Sequence, residues 1–367
     1  MSQRVLNTIW KYQNQLPDVD PRFRVGLGEG QTPLVRSRSI GPSLGLSNLY
    51  FKLENLNPSG SYKDRFAAVL VSEMNAKGQK VCIATSSGNT GAALSAYCAA
   101  AGIPCVLVVV DGAPLPKIRQ MQLYGARIFM VSGFGKDAAI TSAVFDELEK
   151  LCASNQIPLP ISAYRYCPSA MQGVQTIASE ILETLEGRVD HIFSPAGGGG
   201  LTLAITNGVL AEKPPSGLVK VNCVQPEGND TIASALRNNA LKARAVSSST
   251  TTVSGLQVPG VLDGDRVIEN CRKTGGNGYL VTDERVFTWQ KALAQQEGIF
   301  SEPAGAVALA GLEEAVLRKE VNPSETVVCL VTGSGFKDMA SVEKNFGLPP
   351  VQTVDVGQTI GLIQPFL

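Results

Sequence analysis

Four stretches of this chain combine glycine, hydroxyl, amide and charged groups in ways that core packing does not require. The first is Asn57-Pro58-Ser59-Gly60-Ser61-Tyr62-Lys63-Asp64-Arg65, a turn opening into an apolar-periodic segment. Lys63 falls at a helix start, where a cation opposes the macrodipole and the field should lower its amine pKa. A Schiff-base lysine needs that, although a surface lysine on a first turn reads the same way. The second, Thr85-Ser86-Ser87-Gly88-Asn89-Thr90-Gly91, lies between an apolar run and an Ala-rich segment. Hydroxyls and free N–H groups at a helix N-terminus suit a carboxylate or phosphate, and they equally suit an ordinary Ser/Asn cap. The third is Pro195-Ala196-Gly197-Gly198-Gly199-Gly200-Leu201-Thr202. Four consecutive glycines let a backbone wrap closely around phosphate oxygens. Neither a Walker A Gly-Lys-Ser/Thr nor the G-x-G-x-x-G spacing is present. The fourth is Val331-Thr332-Gly333-Ser334-Gly335-Phe336-Lys337-Asp338, which alone would be a plain Gly-rich turn.

The elements that must position these stretches alternate from about Lys63 onward. Apolar spacing predicts helices over 64–77, 91–101, 116–124, 136–153, 170–185, after Gly200, over 283–297 and over 304–317. Short apolar runs predict strands over 81–84, 105–110, 127–131, 191–194, 219–224 and 326–331. That alternation predicts an α/β architecture with parallel sheets covered on both faces. In such sheets ligands bind outside the carboxyl ends of strands, where the second, third and fourth stretches fall. A length of 367 residues suggests two domains. The Ser/Thr-rich segment 240–252 reads as an exposed loop. The tail 347–367 carries one charged side chain, Asp355, so it must pack on its own body or on a partner chain.

Composition excludes several classes. With 32 Lys+Arg against 32 Asp+Glu, nothing suggests nucleic acid or a polybasic membrane anchor. A single His rules out two-His metal sites and leaves His191 as the one base for any triad. Its setting, Val189-Asp190-His191-Ile192-Phe193, reads as the entrance to a buried strand. The cysteines at 82, 98, 105, 152, 167, 223, 271 and 329 show no C-x-x-C pair and sit mostly in apolar runs, as small hydrophobes do. No metal site and no disulfide framework is expected, and a reducing cytoplasm fits best. Residues 81–110 carry no charge, but the polar loop at 86–90 and the Gly102/Pro104 turn divide them, so no membrane span is expected.

The four stretches, in this order, resemble the fold-type II pyridoxal-phosphate enzymes, and threonine synthases most of all. Gly28-Glu29-Gly30-Gln31-Thr32-Pro33-Leu34 is similar to that family's E-G-x-T-P-L. The resemblance implies a two-domain α/β fold like tryptophan synthase β, with largely parallel sheets and pyridoxal 5'-phosphate in the interdomain cleft. Residues 1–57 and 173–367 would form the larger domain and 58–172 the smaller, mobile one. By the same resemblance Lys63 carries the cofactor and, once freed, removes the substrate's Cα proton. Asn89 hydrogen-bonds the phenolic oxygen, and Gly197, Gly198, Gly199, Gly200 and Leu201 cradle the cofactor phosphate. Thr332 faces the pyridine nitrogen, while Ser86, Ser87, Asn89 and Thr90 bind the carboxylate of a small amino-acid substrate. Glu302-Pro303-Ala304 recurs near the cofactor face. A hydroxyl rather than Asp at the pyridine nitrogen mutes the electron sink, which suits elimination and replacement better than transamination. A homodimer is also implied.

The substrate side departs from the pattern. Threonine synthases carry an N-S-x-N-P-x-R-x-E-G-x-K-T stretch that helps hold the substrate phosphate. Aligned on Pro168, Gly173 and Thr176, this chain has Ala170 for the Arg, Gln175 for the Lys, and Tyr164-Arg165 for Asn-Ser. The glycine loop and Ser87 look more like serine and threonine dehydratases, and Ser334 replaces the His of T-G-H-G. The leading expectation is a threonine-synthase-like conversion of O-phosphohomoserine, or a related phosphorylated amino acid, to a threonine-type product and phosphate. Arg165 would restore the missing charge, with Ser169 and Lys117 as further candidates. The alternative is β-elimination or β-replacement on a serine-like substrate. A non-catalytic cofactor-binding regulatory module is the third reading, against which the retained Lys63, Asn89 and Thr332 argue.

Overall fold

The apolar runs pair as parallel strands in two separate sheets. The computed structural model describes residues 8–113, 115–212 and 217–366. Its strands are β1 (Leu34–Arg36), β2 (Asn48–Leu53), β3 (Cys82–Thr85), β4 (Cys105–Val109), β5 (Arg127–Met130), β6 (His191–Pro195), β7 (Lys220–Pro226), β8 (Gly278–Val281) and β9 (Thr326–Val331). The six-stranded sheet has the order β1-β2-β9-β6-β7-β8, and the three-stranded sheet β3-β4-β5. The β1–β2 pair is antiparallel and every other pair is parallel. Ile192 pairs with both Val328 and Val221, which puts β6 in the middle of its sheet. Every residue of β6 is buried, as a strand covered on both faces requires. His191 opens that strand and is itself buried, with burial lowering its pKa.

The helices are α1 (Ile40–Ser43), α2 (Lys63–Ala76), α3 (Asn89–Ala101), α4 (Leu115–Leu123), α5 (Ala138–Ser154), α6 (Pro168–Thr184) and α7 (Gly200–Glu212). They continue with α8 (Ala233–Arg237), α9 (Gly264–Lys273), α10 (Asp283–Glu297), α11 (Val307–Leu317), α12 (Met339–Phe346) and α13 (Val356–Ile363). Among the described residues, none is long and apolar enough to cross a membrane. Strands β1, β2 and β8 and helices α1, α8, α9, α12 and α13 lie outside the sequence expectation. β2 conceals itself because Lys52, a charged residue in its run, is buried; β8 is four residues long. A division after residue 172 would fall inside α6, which runs unbroken from Pro168 to Thr184.

Helix α2 crosses α6 at a contact that admits no side chain. A Cβ on Gly173 would meet the Arg65 carbonyl oxygen at 2.2 Å and a Val69 methyl at 2.8 Å. Below that crossing lies a buried ionic network. Arg65, fully buried, donates to Glu54 through Nε (2.8 Å) and Nη2 (2.7 Å), and to Glu180 through Nη1 (2.6 Å) and Nη2 (2.8 Å). Lys52 donates to Glu180 at 2.6 Å, and the Thr32 hydroxyl donates to Glu54 at 2.6 Å. Two cations face two carboxylates, so charge is balanced where solvent cannot help. Gln31 also donates its N–H to Glu180 (2.8 Å), which makes the Gly28–Leu34 motif part of this network.

Segment 240–252 is irregular and largely exposed, as expected, although Thr251 is buried and donates to Asp283 at 2.5 Å. The tail does not pack on its own body. Val351, Val356 and Ile360 are 97%, 91% and 70% exposed, and α13 buries none of its residues. Of the two expected alternatives, packing on the body is therefore not what the structure shows.

Candidate active site

Lys63 is the first residue of α2, and the turn before it is shaped by Asp64. The Asp64 carboxylate accepts from the Ser59 backbone (3.0 Å) and the Ser59 hydroxyl (2.8 Å). Burial pushes its pKa up to about 6, against the lowering effect of those bonds. Gly60 within the turn has φ +89, a conformation L side chains rarely adopt. The Lys63 Nζ donates to the Tyr62 hydroxyl and the Ser162 Oγ, each at 2.6 Å. Ser162 in turn lies 3.2 Å from the Thr90 hydroxyl. Lys63, Ser162 and Thr90 thus form one chain of contacts linking the first and second stretches.

Asn89 opens α3, and its Nδ2 donates to Glu302 Oε1 at 2.6 Å. Ser86 takes the structural part of the loop, accepting from Gly88 N–H (3.3 Å) and Gly91 N–H (3.1 Å). Gly91 has no room for a Cβ, which would lie 2.3 Å from the Ser86 carbonyl oxygen. Ser87 stands beside it, half-buried in the same loop. Thr332 follows β9, and its carbonyl accepts from Tyr62 N–H at 3.1 Å. A bridge between Ser61 and Gly333 completes the join between the first and fourth stretches.

The glycine loop is walled by apolar side chains. Cβ atoms added at Gly197, Gly198 and Gly199 would approach Val258, Leu262 and Val267 at 3.0, 2.9 and 2.9 Å. One on Gly200 would lie 2.8 Å from the Ser162 carbonyl oxygen. Leu201 continues into α7 and is buried. Asp263 secures the loop: its N–H donates to the Gly198 carbonyl (3.1 Å), and its carboxylate accepts from Tyr164 and Arg165 N–H groups at 2.8 and 3.1 Å. Sequence reasoning missed Asp263 and Ser162, because no local pattern marks them, and it gave Tyr62 no role although it lies within the first stretch.

Unpartnered polar atoms gather at this convergence. Ser61 Oγ, Asn89 Oδ1, Ser301 Oγ, Glu302 Oε2 and Thr332 Oγ1 are buried without a hydrogen bond. Orphaned buried groups cost about 1–3 kcal/mol each, so a polar ligand that completes them fits the site. Pyridoxal phosphate has the matching groups: a carbonyl carbon for Lys63, a phenolic oxygen within the province of Asn89, a ring nitrogen for Thr332, and a phosphate for the glycine loop at a helix N-terminus. The residues fit that cofactor.

Arg165 is not brought to these residues. Its side chain is exposed, and its guanidinium stands 5.8 Å over the Tyr166 ring, whose hydroxyl reaches towards Glu149 at 3.4 Å. An exposed guanidinium gains more from an aromatic face in solvent than from entering an apolar cleft. Ser169 is engaged elsewhere, donating to Glu73 at 2.8 Å. Lys117, on α4, is the candidate cation that the fold brings inward. It is buried, donates to Ser254 Oγ at 2.8 Å, and lies 3.8 Å from Glu302 Oε2. Lys337 is a second buried lysine in this region, donating to Gln120 at 2.9 Å. Burial lowers its pKa to about 8, against the opposing pull of Glu302 and Asp64.

Parallel α/β sheets, a lysine at a helix start and an apolar-walled glycine loop define a class of α/β enzymes that hold a phosphorylated aldehyde cofactor. The chain belongs to the pyridoxal-phosphate dependent enzyme family, whose model matches residues 25–333. It is 34% identical to threonine synthase of Methanocaldococcus jannaschii over 336 residues, covering 90% of this chain and 80% of that protein. It is 33% identical to threonine synthase of Methanosarcina acetivorans over 340 residues, covering 91% and 81%. Among solved structures it is similar to the processed form of threonine deaminase isoform 2 from Solanum lycopersicum, with a TM-score of 0.73 and 22% identity, covering 93% of this chain and 89% of that one. The cofactor is therefore pyridoxal phosphate, and the protein is a lyase of the elimination and replacement type.

Proposed function

We propose that this protein carries out a threonine-synthase-type reaction, releasing phosphate from a phosphorylated amino acid and adding water. The observation that carries the reading is Lys117, a buried ammonium separated from Asn89 by the single side chain of Glu302. With Lys63 committed to the cofactor and Lys337 facing Asp64 and Glu302, the cation left for an anionic substrate group is Lys117. It supplies, from another element, what Ala170 and Gln175 lack.

When bound, the cofactor withdraws electrons from the substrate's Cα and makes its proton removable. Lys63 would hold the cofactor, and its free Nζ would be the group that moves that proton. Ser162 and Tyr62 hold Nζ in place through the bonds it already makes. Ser87, Asn89 and Thr90, with Ser86 bracing the loop, bind the substrate carboxylate. Asn89 would also hold the cofactor's phenolic oxygen, Thr332 its ring nitrogen, and residues Gly197 to Leu201 its phosphate. The outward Arg165 favours a second reading, β-elimination from serine or threonine, because it leaves the substrate phosphate without a guanidinium.

The deciding experiment mixes the holoenzyme separately with O-phosphohomoserine, O-phosphoserine, threonine and serine. Phosphate release with threonine formation supports the proposal. Keto acid and ammonia from serine or threonine, with phosphohomoserine inert, defeats it.

A further inference from the structure

Three of the cysteines, scattered in sequence, meet in the interior of the smaller sheet. Cys82 opens β3, Cys98 lies in the last turn of α3, and Cys105 opens β4. Cys82 and Cys105 are direct cross-strand neighbours, and the helix brings Cys98 over them. All three are buried, and their sulfur atoms lie within 4.8 Å of one another. None is in a disulfide.

We infer that Cys82, Cys98 and Cys105 form a three-sulfur receptor for a trivalent thiophilic ion of the arsenite type. Three sulfurs on a pyramidal trivalent ion at about 2.3 Å lie roughly 3.4–3.5 Å apart, so from the 4.8 Å limit the cluster contracts by at most about 1.4 Å. Soft ligands select soft ions, and there is no His or carboxylate among the three to favour a harder one. Charge then chooses among the soft ions. Three thiolates around a monovalent ion leave two negative charges in an apolar core, and around a divalent ion they leave one. Around a trivalent ion they leave none, and an uncompensated buried charge is what this core could not carry. The groups that act on Cys98 and Cys105 are the neighbouring thiols, burial and Ser95, with no cation to balance an anionic complex.

The exchange balances without a redox step. Three S–H bonds and three As–O bonds break, three As–S bonds form, and three waters leave from As(OH)₃. Cys105 is the thiol nearest the turn at 102–104, and its Sγ lies 4.0 Å from the Ser95 hydroxyl. Access is through the α3–β4 turn at 102–104, whose Gly102 and Pro104 are exposed. That turn rests on the cluster residues, with Ile103 N–H donating to the Cys98 carbonyl and Cys82 N–H to the Pro104 carbonyl, each at 2.9 Å. The cluster lies at the ends of β3 and α3 opposite the 86–90 loop, about 10 Å along the strand and about 14 Å along the helix. Ion uptake therefore fastens the sheet without touching the cofactor.

The test incubates holoenzyme with sodium arsenite, removes free ion, measures arsenic per chain and records X-ray absorption at the arsenic edge. One arsenic per chain with three sulfur neighbours, native near-ultraviolet dichroism and an unchanged cofactor absorption spectrum is expected. Uptake should fall to background in Cys98→Ala and Cys105→Ala and persist in Cys329→Ala. Absent uptake, two-sulfur coordination, uptake that survives Cys105→Ala, or uptake only with loss of the native dichroism would each overturn the inference. So would a disulfide among the three thiols. The wild-type absorption spectrum decides the matter even where a variant fails to fold.

Discussion

Replacing Arg65 with Met should cost about 3–5 kcal/mol, the usual penalty for stripping one partner from a buried ion pair. The structure says where the penalty falls. Glu180 would keep Lys52 at 2.6 Å, but Glu54 would be left with only the Thr32 hydroxyl and the Asn57 amide as side-chain partners. Glu54 is then the uncompensated charge, so Arg65→Met/Glu54→Gln should recover about 1–3 kcal/mol of the loss. The assay is guanidinium unfolding at a fixed excess of cofactor, comparing midpoints at unchanged slope. A pH series adds a sign. Burial pushes the Glu180 carboxyl up, but the Arg65 charge and hydrogen bonds, with those of Lys52, bring it down to about 2. Its contribution is whole above the ordinary carboxylate value and is lost as pH falls towards 2. The wild-type advantage over Arg65→Met should therefore shrink as pH falls from the ordinary carboxylate value towards 2. A loss below about 1 kcal/mol, or no recovery in the double variant, would refute the view that Arg65 balances this network.

Lys63→Ala should leave the fold intact, abolish turnover and remove the cofactor's visible band, and borohydride should no longer fix the cofactor; retention of the native spectrum would show that another group holds it. Gly173→Ala should destabilise by about 1–3 kcal/mol, because its Cβ would meet the Arg65 carbonyl at 2.2 Å and push α2 from α6, as denaturant midpoints will reveal. Lys117→Met should raise KM for a phosphorylated substrate by about a hundredfold while changing KM for serine little, and equal effects on both would count against an anion-binding role. The intact chain should sediment as a homodimer and the chain lacking 347–367 as a monomer, and identical sedimentation of the two would count against a role of the tail in association.

Much of the fold was legible because it is written in local periodicity. The helix over 283–297 and the strand over 326–331 coincide with α10 and β9, since uninterrupted apolar spacing needs no distant partner to be read. Glycine runs and hydroxyl-rich turns at strand ends were likewise legible as motifs, and their order pointed to the cofactor class. What depended on contacts between distant residues was hidden. Ser162 reaches Lys63 from 99 residues away, and Asp263 braces the 164–165 backbone from 98 and 99. Lys52, Glu54, Arg65 and Glu180 look like surface charges until the fold balances them in the core. Arg165 looked like the missing cation and Lys117 a weaker candidate, yet packing turned Arg165 onto a surface tyrosine and buried Lys117 beside Glu302. The three cysteines share no motif spacing and became neighbours only when β3, α3 and β4 packed. Sequence determines what each segment tends to become, because backbone preference and apolar period are local; which side chains meet is decided by burial, where a charge or thiol takes its meaning from groups far away along the chain.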